Sequence, residues 1–433
     1  MDISVYKFES NFKSIKKAYN STNTEIREQF LMLLDPSTSK ETILEITKQL
    51  PAISEKLSEN DLTNDIIKLI VDNFNENHSE LLISIILCIS VNECYAKELC
   101  KYGIIQVILK IIDEEKDDLN LSNLFRILGN CFVGLDKDYC NDCCEFLSRD
   151  CLGKIILKNN CYETYYSWMK CLYGYASSEN ATLKGIELVI SGIIDFIDYY
   201  KINCLNEDIQ DIIILIFWIF LICIDNEHNF KLNIIPILEN DFFKGKEYYF
   251  SGDVCNELKI AFICLCGNLL ANYNNNIFGL NCYDAYSLYL HNTNLCSSAI
   301  WLLERLFTNS SEYAEEFNLM DLSPFINNYN TQSFSEKNET SYLFIHLFEK
   351  VNNKMNFFMK YFELFISFMY LVPDVVNATL FCINILFNYH CGNKEEKEQF
   401  INFLASNGME SVIEELRSNQ NINQELLCFY SKV

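Results

Sequence analysis

An amphipathic helical segment recurs about every 40 residues along this chain, and no other feature narrows its fold as far. The apolar faces are centred near Leu44, Ile85, Arg126, Trp168, Trp218, Cys264, Trp301, Phe344, Phe381 and Glu425, at intervals of 37 to 50 residues. A unit of that length cannot bury its apolar face alone and must stack on its neighbours, which predicts an all-α solenoid. About ten such units use all 433 residues. The scarcity of chain breakers agrees. The 13 Gly and 5 Pro are too few for a sandwich or barrel, which needs turn residues roughly every 8 to 12 positions.

The stretch Glu98 to Gly134 shows one unit most plainly. A short helix ends at Gly103, an apolar helix runs from Ile104 to Ile112, an acidic turn covers Asp113 to Asp118, and a longer amphipathic helix extends from about Leu119 to Val133. Two or three helices per repeat of this length is the armadillo or HEAT pattern. Gly103, Gly153, Gly192 and Gly408 each precede the apolar residues of a second helix and read as hinges. The boundaries are weakest across Ile235 to Glu257, and the polar stretch Asn327 to Glu339 reads as a mobile insertion.

A formal charge of −25, with acids spread among apolar residues, disfavours nucleic acid and anionic membranes as partners and favours basic ones. Met1 to Ser10 has no apolar run preceded by basic residues and does not read as a secretory signal. The longest apolar run, Ile212 to Ile224, falls short of the roughly 20 residues that span a bilayer and reads as a buried helix. Phe357 to Val376 is interrupted by Lys360, Glu363, Pro373 and Asp374. Twenty cysteines in such a chain indicate a reducing compartment, where they serve as small buried hydrophobes. Cys140 and Cys143, with Cys144 beside them, have C-x-x-C spacing but lack the second pair that a structural zinc needs, so no metal or other cofactor is expected.

The closing stretch, Phe400 to Val433, resembles the last armadillo repeat of importin-alpha, the adaptor for nuclear localisation signals. It shares a helix ending in Gly, an acidic amphipathic helix and an Asn/Glu-rich turn before the last helix. Glu98 to Gly134 also resembles a repeat of that family. The resemblance implies a right-handed superhelix of about ten armadillo repeats, taken here as residues 29–433 behind an N-terminal helical segment, 1–28. It further implies a groove in which Trp and Asn, spaced W-x-x-x-N on successive third helices, bracket lysine stems and pair with a peptide backbone. All three tryptophans, Trp168, Trp218 and Trp301, fall at the Trp position of the register above, while Leu172, Ile222 and Arg305 stand four residues on. Asn130 and Asn268 occupy the Asn position, with Arg126 and Cys264 where Trp would be. The ladder is therefore split, and no repeat keeps both members. The other reading of the tryptophans is that they are large hydrophobes closing the inner layer.

No phosphate-binding loop, dinucleotide fingerprint, H-E-x-x-H or G-x-S-x-G motif occurs. His78, His228, His291, His346 and His390 lie in different repeats, and His346 reads as a satisfied core residue. The expectation is a non-enzymatic import adaptor of cytoplasm and nucleus, binding basic peptide segments of cargo through Asn130, Trp168, Trp218, Asn268 and Trp301. The alternative is a cytoplasmic armadillo or HEAT-type interaction scaffold. Importin-beta docking is doubtful, because Met1 to Glu28 offers only Lys7, Lys13, Lys16, Lys17 and Arg27 instead of an arginine-rich arm.

Overall fold

The computed structural model describes residues 23–35, 37–59, 61–76, 78–114, 118–132, 140, 143, 147, 161–200, 209–224, 242–243, 245–273, 278–309, 311–318, 320–417, 419 and 421–431. Among them every regular element is helical and no strand occurs. None of these helices is long and apolar enough to cross a membrane. Most of the N-terminal segment 1–28, the hinge expected at Gly153, the third thiol Cys144 and much of the stretch following Ile235 lie outside the described residues.

The chain divides into two compact units, Met1–Gly192 and Ile193–Val433, and the division falls inside one continuous helix, Leu183–Tyr200. Each unit is built on a row of stacked helices. In the first unit the row is α1 (Lys40–Ser54), α2 (Glu80–Ser90), α3 (Asp118–Cys131) and α4 (Tyr162–Ala176), each packed on the next. In the second it is α5 (Gln210–Ile224), α6 (Asn256–Tyr273), α7 (Cys296–Asn309), α8 (Phe334–Lys350) and α9 (Pro373–Ile385), closed by the 3-10 segment Gln424–Ser431. Each of the ten centres expected from the sequence falls in one of these elements. Other helices pack beside the rows.

Local sequence accounts for the breaks between helices. Gly103 takes φ +84° between Glu93–Lys101 and Ile104–Glu114, and Gly408 takes φ +86° between Lys394–Ser406 and Met409–Arg417. Both are left-handed positions at helix ends that favour glycine. Gly192, expected as a hinge, instead lies inside Leu183–Tyr200. The apolar residues before it continue the same helical stripe, so nothing breaks the helix there. The stretch Asn327 to Glu339, expected as a mobile insertion, is also ordered. Helix Ser323–Tyr329 ends in it and α8 begins at its capping box, where Ser333 Oγ accepts from Glu336 N and Glu336 Oε2 accepts from Ser333 N at 2.7 Å. Its polarity is that of a helix start.

Hydrogen bonds between elements about one repeat apart tie the rows together. Tyr95 Oη donates to Ser58 O at 2.5 Å, Asn92 Nδ2 to Leu57 O at 3.1 Å, Ser178 Oγ to Phe132 O at 3.0 Å and Asn272 Nδ2 to Ile224 O at 3.3 Å. The backbones of α3 and α4 come close together. A Cβ built on Gly174 would stand 2.8 Å from Gly129 O, so two glycines let these backbones meet. Beside them the buried hydroxyls of Ser122 and Ser167 share a hydrogen bond of 2.7 Å. In the second unit, thirteen of the fifteen residues of α5 are buried, and Phe217 on that helix packs against Phe242, Phe243, Tyr249 and Phe262.

Candidate functional site

The side of each row that remains open carries the candidate site. On α3 Asn120, Asn123, Arg126 and Asn130 are partly exposed and spaced to share one helical face. On α4 the corresponding stripe is Tyr166, Lys170 and Tyr173. Trp168 is not part of it. That side chain is fully buried and its indole Nε1 donates to Leu147 O at 3.1 Å. The pairing of α3 with α4 explains the miss. Ser122 meets Ser167, 45 residues on, which puts the counterpart of Arg126 near Lys170. Trp168 lies two residues earlier, and two residues turn a helix by about 200°. The expected contact of Trp168 with a ligand is thereby corrected to a packing role. Ile85 and Phe344, at the same nominal position, are also fully buried.

Asn130 holds its face, but its amide Nδ2 donates to Ser90 Oγ at 3.0 Å, across to α2. The first unit also fills its stripe with its own cations. Arg126 pairs with Glu163 and donates from Nε to Ser167 Oγ at 3.2 Å, while Lys170 Nζ sits 4.6 Å from the Tyr166 ring centroid.

In the second unit, Asp211 and Trp218 are the residues of α5 that remain open, two turns apart on one face. On α6 the open stripe is Ile260, Cys264 and Asn268. Asn268 Nδ2 turns back to Cys264 O at 2.8 Å. Trp301 on α7 is 6% exposed, and its six-membered ring covers Gly267, where an added Cβ would meet ring carbons at 2.3 and 2.5 Å. Arg305 lies over Trp301, 5.3 Å from the ring centroid. Where the ladder pattern places Asn, this chain therefore places a cation that occupies the indole face itself. Further along the row, Phe381 on α9 is 50% exposed on a stripe with Asp374 and Asn377.

Between these aromatic residues lies an ionisable cluster that sequence reasoning missed. Glu304 on α7 is 7% exposed, with Oε1 3.0 Å from His346 Nδ1 on α8 and Oε2 3.7 Å from Arg305 Nε. Glu339, also on α8, is pushed up to about 7 by burial and then by the Glu304 charge, with Arg305 pulling the other way. Burial and the charges of Asp374, Glu339 and Glu304 also raise Tyr342. Asn338 Oδ1 is buried without a hydrogen-bond partner among the described residues. His346, expected in the core, is a half-buried member of this cluster. Residues 304, 339 and 346 match no motif. The available signal was a charge inside each of two apolar runs, WLLERLF and YLFIHLF. Two carboxylates matched by one guanidinium and an imidazole leave room for a further cation, which would draw Glu339 into its ionised form.

Ten of the sixteen thiols among the described residues are buried. Cys140 and Cys143 are buried, and no group of three or more His, Cys, Asp or Glu among the described residues could hold a metal ion. Burial raises Cys88, Cys223 and Cys264 to about 12.

No protein-family model matches the sequence, and no curated protein does. Among solved structures the chain is similar to a designed armadillo repeat protein in complex with a (KR)4 peptide. The identity is 16%, the match covers 65% of this chain and 99% of that one, and the TM-score is 0.33. A likeness that loose carries no argument here. Fold and site together define a protein of stacked helical repeats whose second unit presents an acidic, aromatic-lined face.

Proposed function

We propose that this face binds an extended basic segment of a partner protein and that the chain is a non-enzymatic armadillo-type adaptor. The observation that carries the reading is the buried Glu304 close to the half-buried Glu339, with Trp301 one turn from the first and Tyr342 one turn from the second. A lysine or arginine of the partner supplies the charge that Glu339 lacks, its stem lies along the aromatic residues, and the chain's charge of −25 draws it in. The finer reading is a divergent importin-alpha, a right-handed superhelix carrying cargo between cytoplasm and nucleus. The closing repeat and the partly open Trp218 support it. A second reading, a cytoplasmic scaffold for a folded partner, is favoured by the burial of Trp168 and by Arg305 on the Trp301 ring.

Fluorescence anisotropy of a labelled lysine-rich peptide, at low and at physiological salt, separates the two. On the peptide reading the parent binds at low salt, salt weakens it, and Trp218→Ala costs roughly 2- to 30-fold in affinity, the range of one desolvating cation–π contact. Trp168→Phe, a core change, serves as the packing control and leaves affinity unchanged once circular dichroism shows it folded. A folded parent that binds no such peptide at low salt ends the adaptor reading in favour of the scaffold.

A further inference from the structure

A second site lies in the same unit, on residues that the basic-segment reading does not use. The first turn of α6 and the helix Cys282–His291 enclose a pocket of 810 Å³, within the size range of small-molecule sites. Tyr283, Ser287 and His291 line it from one face of that helix, and Cys255, Asn256 and Lys259 from the other wall. Lys259 is only 5% exposed, and among the described residues no carboxylate pairs with it. Two acids also line the pocket, and neither pairs with Lys259. Asp284 accepts from Lys246 Nζ at 3.1 Å and from Asn281 N at 3.0 Å, and Glu257 is open to solvent.

A lysine this deeply packed and without a carboxylate partner is a poor packing choice, since a methionine of similar length fills the same space with no charge to keep solvated. This chain holds 34 basic against 59 acidic residues and still keeps a cation here. The N-terminus of α6 opens on the same pocket and adds the positive end of its dipole. His291 and the Asn256 amide, already 3.1 Å from Asn292 Nδ2 through its oxygen, supply further donors, and Phe250 and Tyr283 offer apolar walls.

We propose that this pocket binds a small organic anion, with Lys259 as the counter-ion of its phosphate or carboxylate group and Tyr283 against its organic part. The inference stands apart from the basic-segment reading, because the ligand has the opposite charge and contacts different residues.

Isothermal titration calorimetry of the full chain at fixed ionic strength, with inorganic phosphate and with citrate as probes, tests it. Saturable binding of at least one probe is expected, and which of the two binds more tightly separates a phosphate from a carboxylate ligand. Lys259→Met should weaken that binding about tenfold or more, the effect of losing one charge-assisted contact, without lowering the melting temperature of the unliganded protein. Lys68→Met, at an exposed position of the first unit, should change nothing. Ser287→Glu, which adds a third carboxylate to the lining, on the helix face that carries Tyr283 and His291, should abolish binding and carries the test if Lys259→Met does not fold. The proposal is overturned if neither probe binds the parent up to about 20 mM, where even a weak specific site would be occupied. It is equally overturned if Lys259→Met or Ser287→Glu binds as the parent does.

Discussion

Binding of a basic peptide to the second unit should depend on pH through Glu339. That carboxyl is pushed up to about 7 from an ordinary 4.5, first by burial and then by Glu304. A ligand cation placed beside it favours the ionised form, so binding releases a proton wherever the free protein still holds one. If the bound-state value falls below about 5, the dissociation constant scales as 1 + 10^(7 − pH), and affinity drops about tenfold from pH 8 to pH 6. Glu304 and Arg305 act on the group with opposite signs, and Tyr342 on the same helix feels its charge in turn. Glu339→Gln isolates the contribution, because its amide neither titrates nor disturbs the packing volume. The assay is peptide anisotropy at constant ionic strength across pH 6 to 8, with proton release read from calorimetry in buffers of different ionisation enthalpy. The same shift has a consequence without ligand. Between 4.5 and 7 the folded state holds a proton that the unfolded state has lost, so stability falls as pH rises through that window, by up to about 3 kcal/mol. Glu339→Gln should therefore be more stable than the parent at pH 8 and about equal to it at pH 4. Equal peptide affinity at pH 6 and 8, or an unchanged pH dependence in Glu339→Gln, would refute the reasoning.

Two further outcomes follow from packing. Gly174→Ala should destabilise the first unit by roughly 1 to 2 kcal/mol, because a Cβ 2.8 Å from a backbone oxygen cannot be relieved by a rotamer change and outweighs the helix-propensity gain of about 1 kcal/mol; a higher melting temperature for the variant would contradict this. Native-state alkylation at pH 8 should label Cys88 and Cys223 roughly a thousandfold more slowly than in urea, since thiols pushed up to about 12 hold almost no thiolate there; peptide mapping that finds Cys223 modified at the unfolded rate would count against their burial.

The repeat was legible because it is written in a coarse signal. An apolar stripe about 40 residues from the last one locates a helix, and all ten centres landed in the stacked rows. The rotation of each helix was less legible, since a shift of two residues, harmless for placing Trp168 in α4, carries its indole from the open face into the core. Gly192 misled for a related reason. Glycine marks a break only where the flanking stripe changes direction, and on Leu183–Tyr200 it does not. Asn327 to Glu339 looked like an insertion because caps and loops share a composition, and only the Ser333–Glu336 pairing tells them apart. The Glu304–Glu339–His346 cluster was out of reach of spacing arguments, because its members come from helices a full repeat apart and meet only when α7 stacks on α8.

The burial of α5 on nearly every side bears on how the protein is made. During synthesis Ile212 to Ile224 emerges before Phe242, Phe243, Tyr249 and Phe262, the last of which follows Ile224 by 38 residues. At about 5 to 20 residues per second, a wholly apolar helix waits roughly 2 to 8 seconds for the rings that cover it. For that interval it presents to the cell what a chaperone or a membrane-targeting factor recognises, and slowing of translation between codons 225 and 262 would lengthen the exposure. The yield of folded protein should then depend on holdase supply and growth temperature more than on the stability of the finished fold.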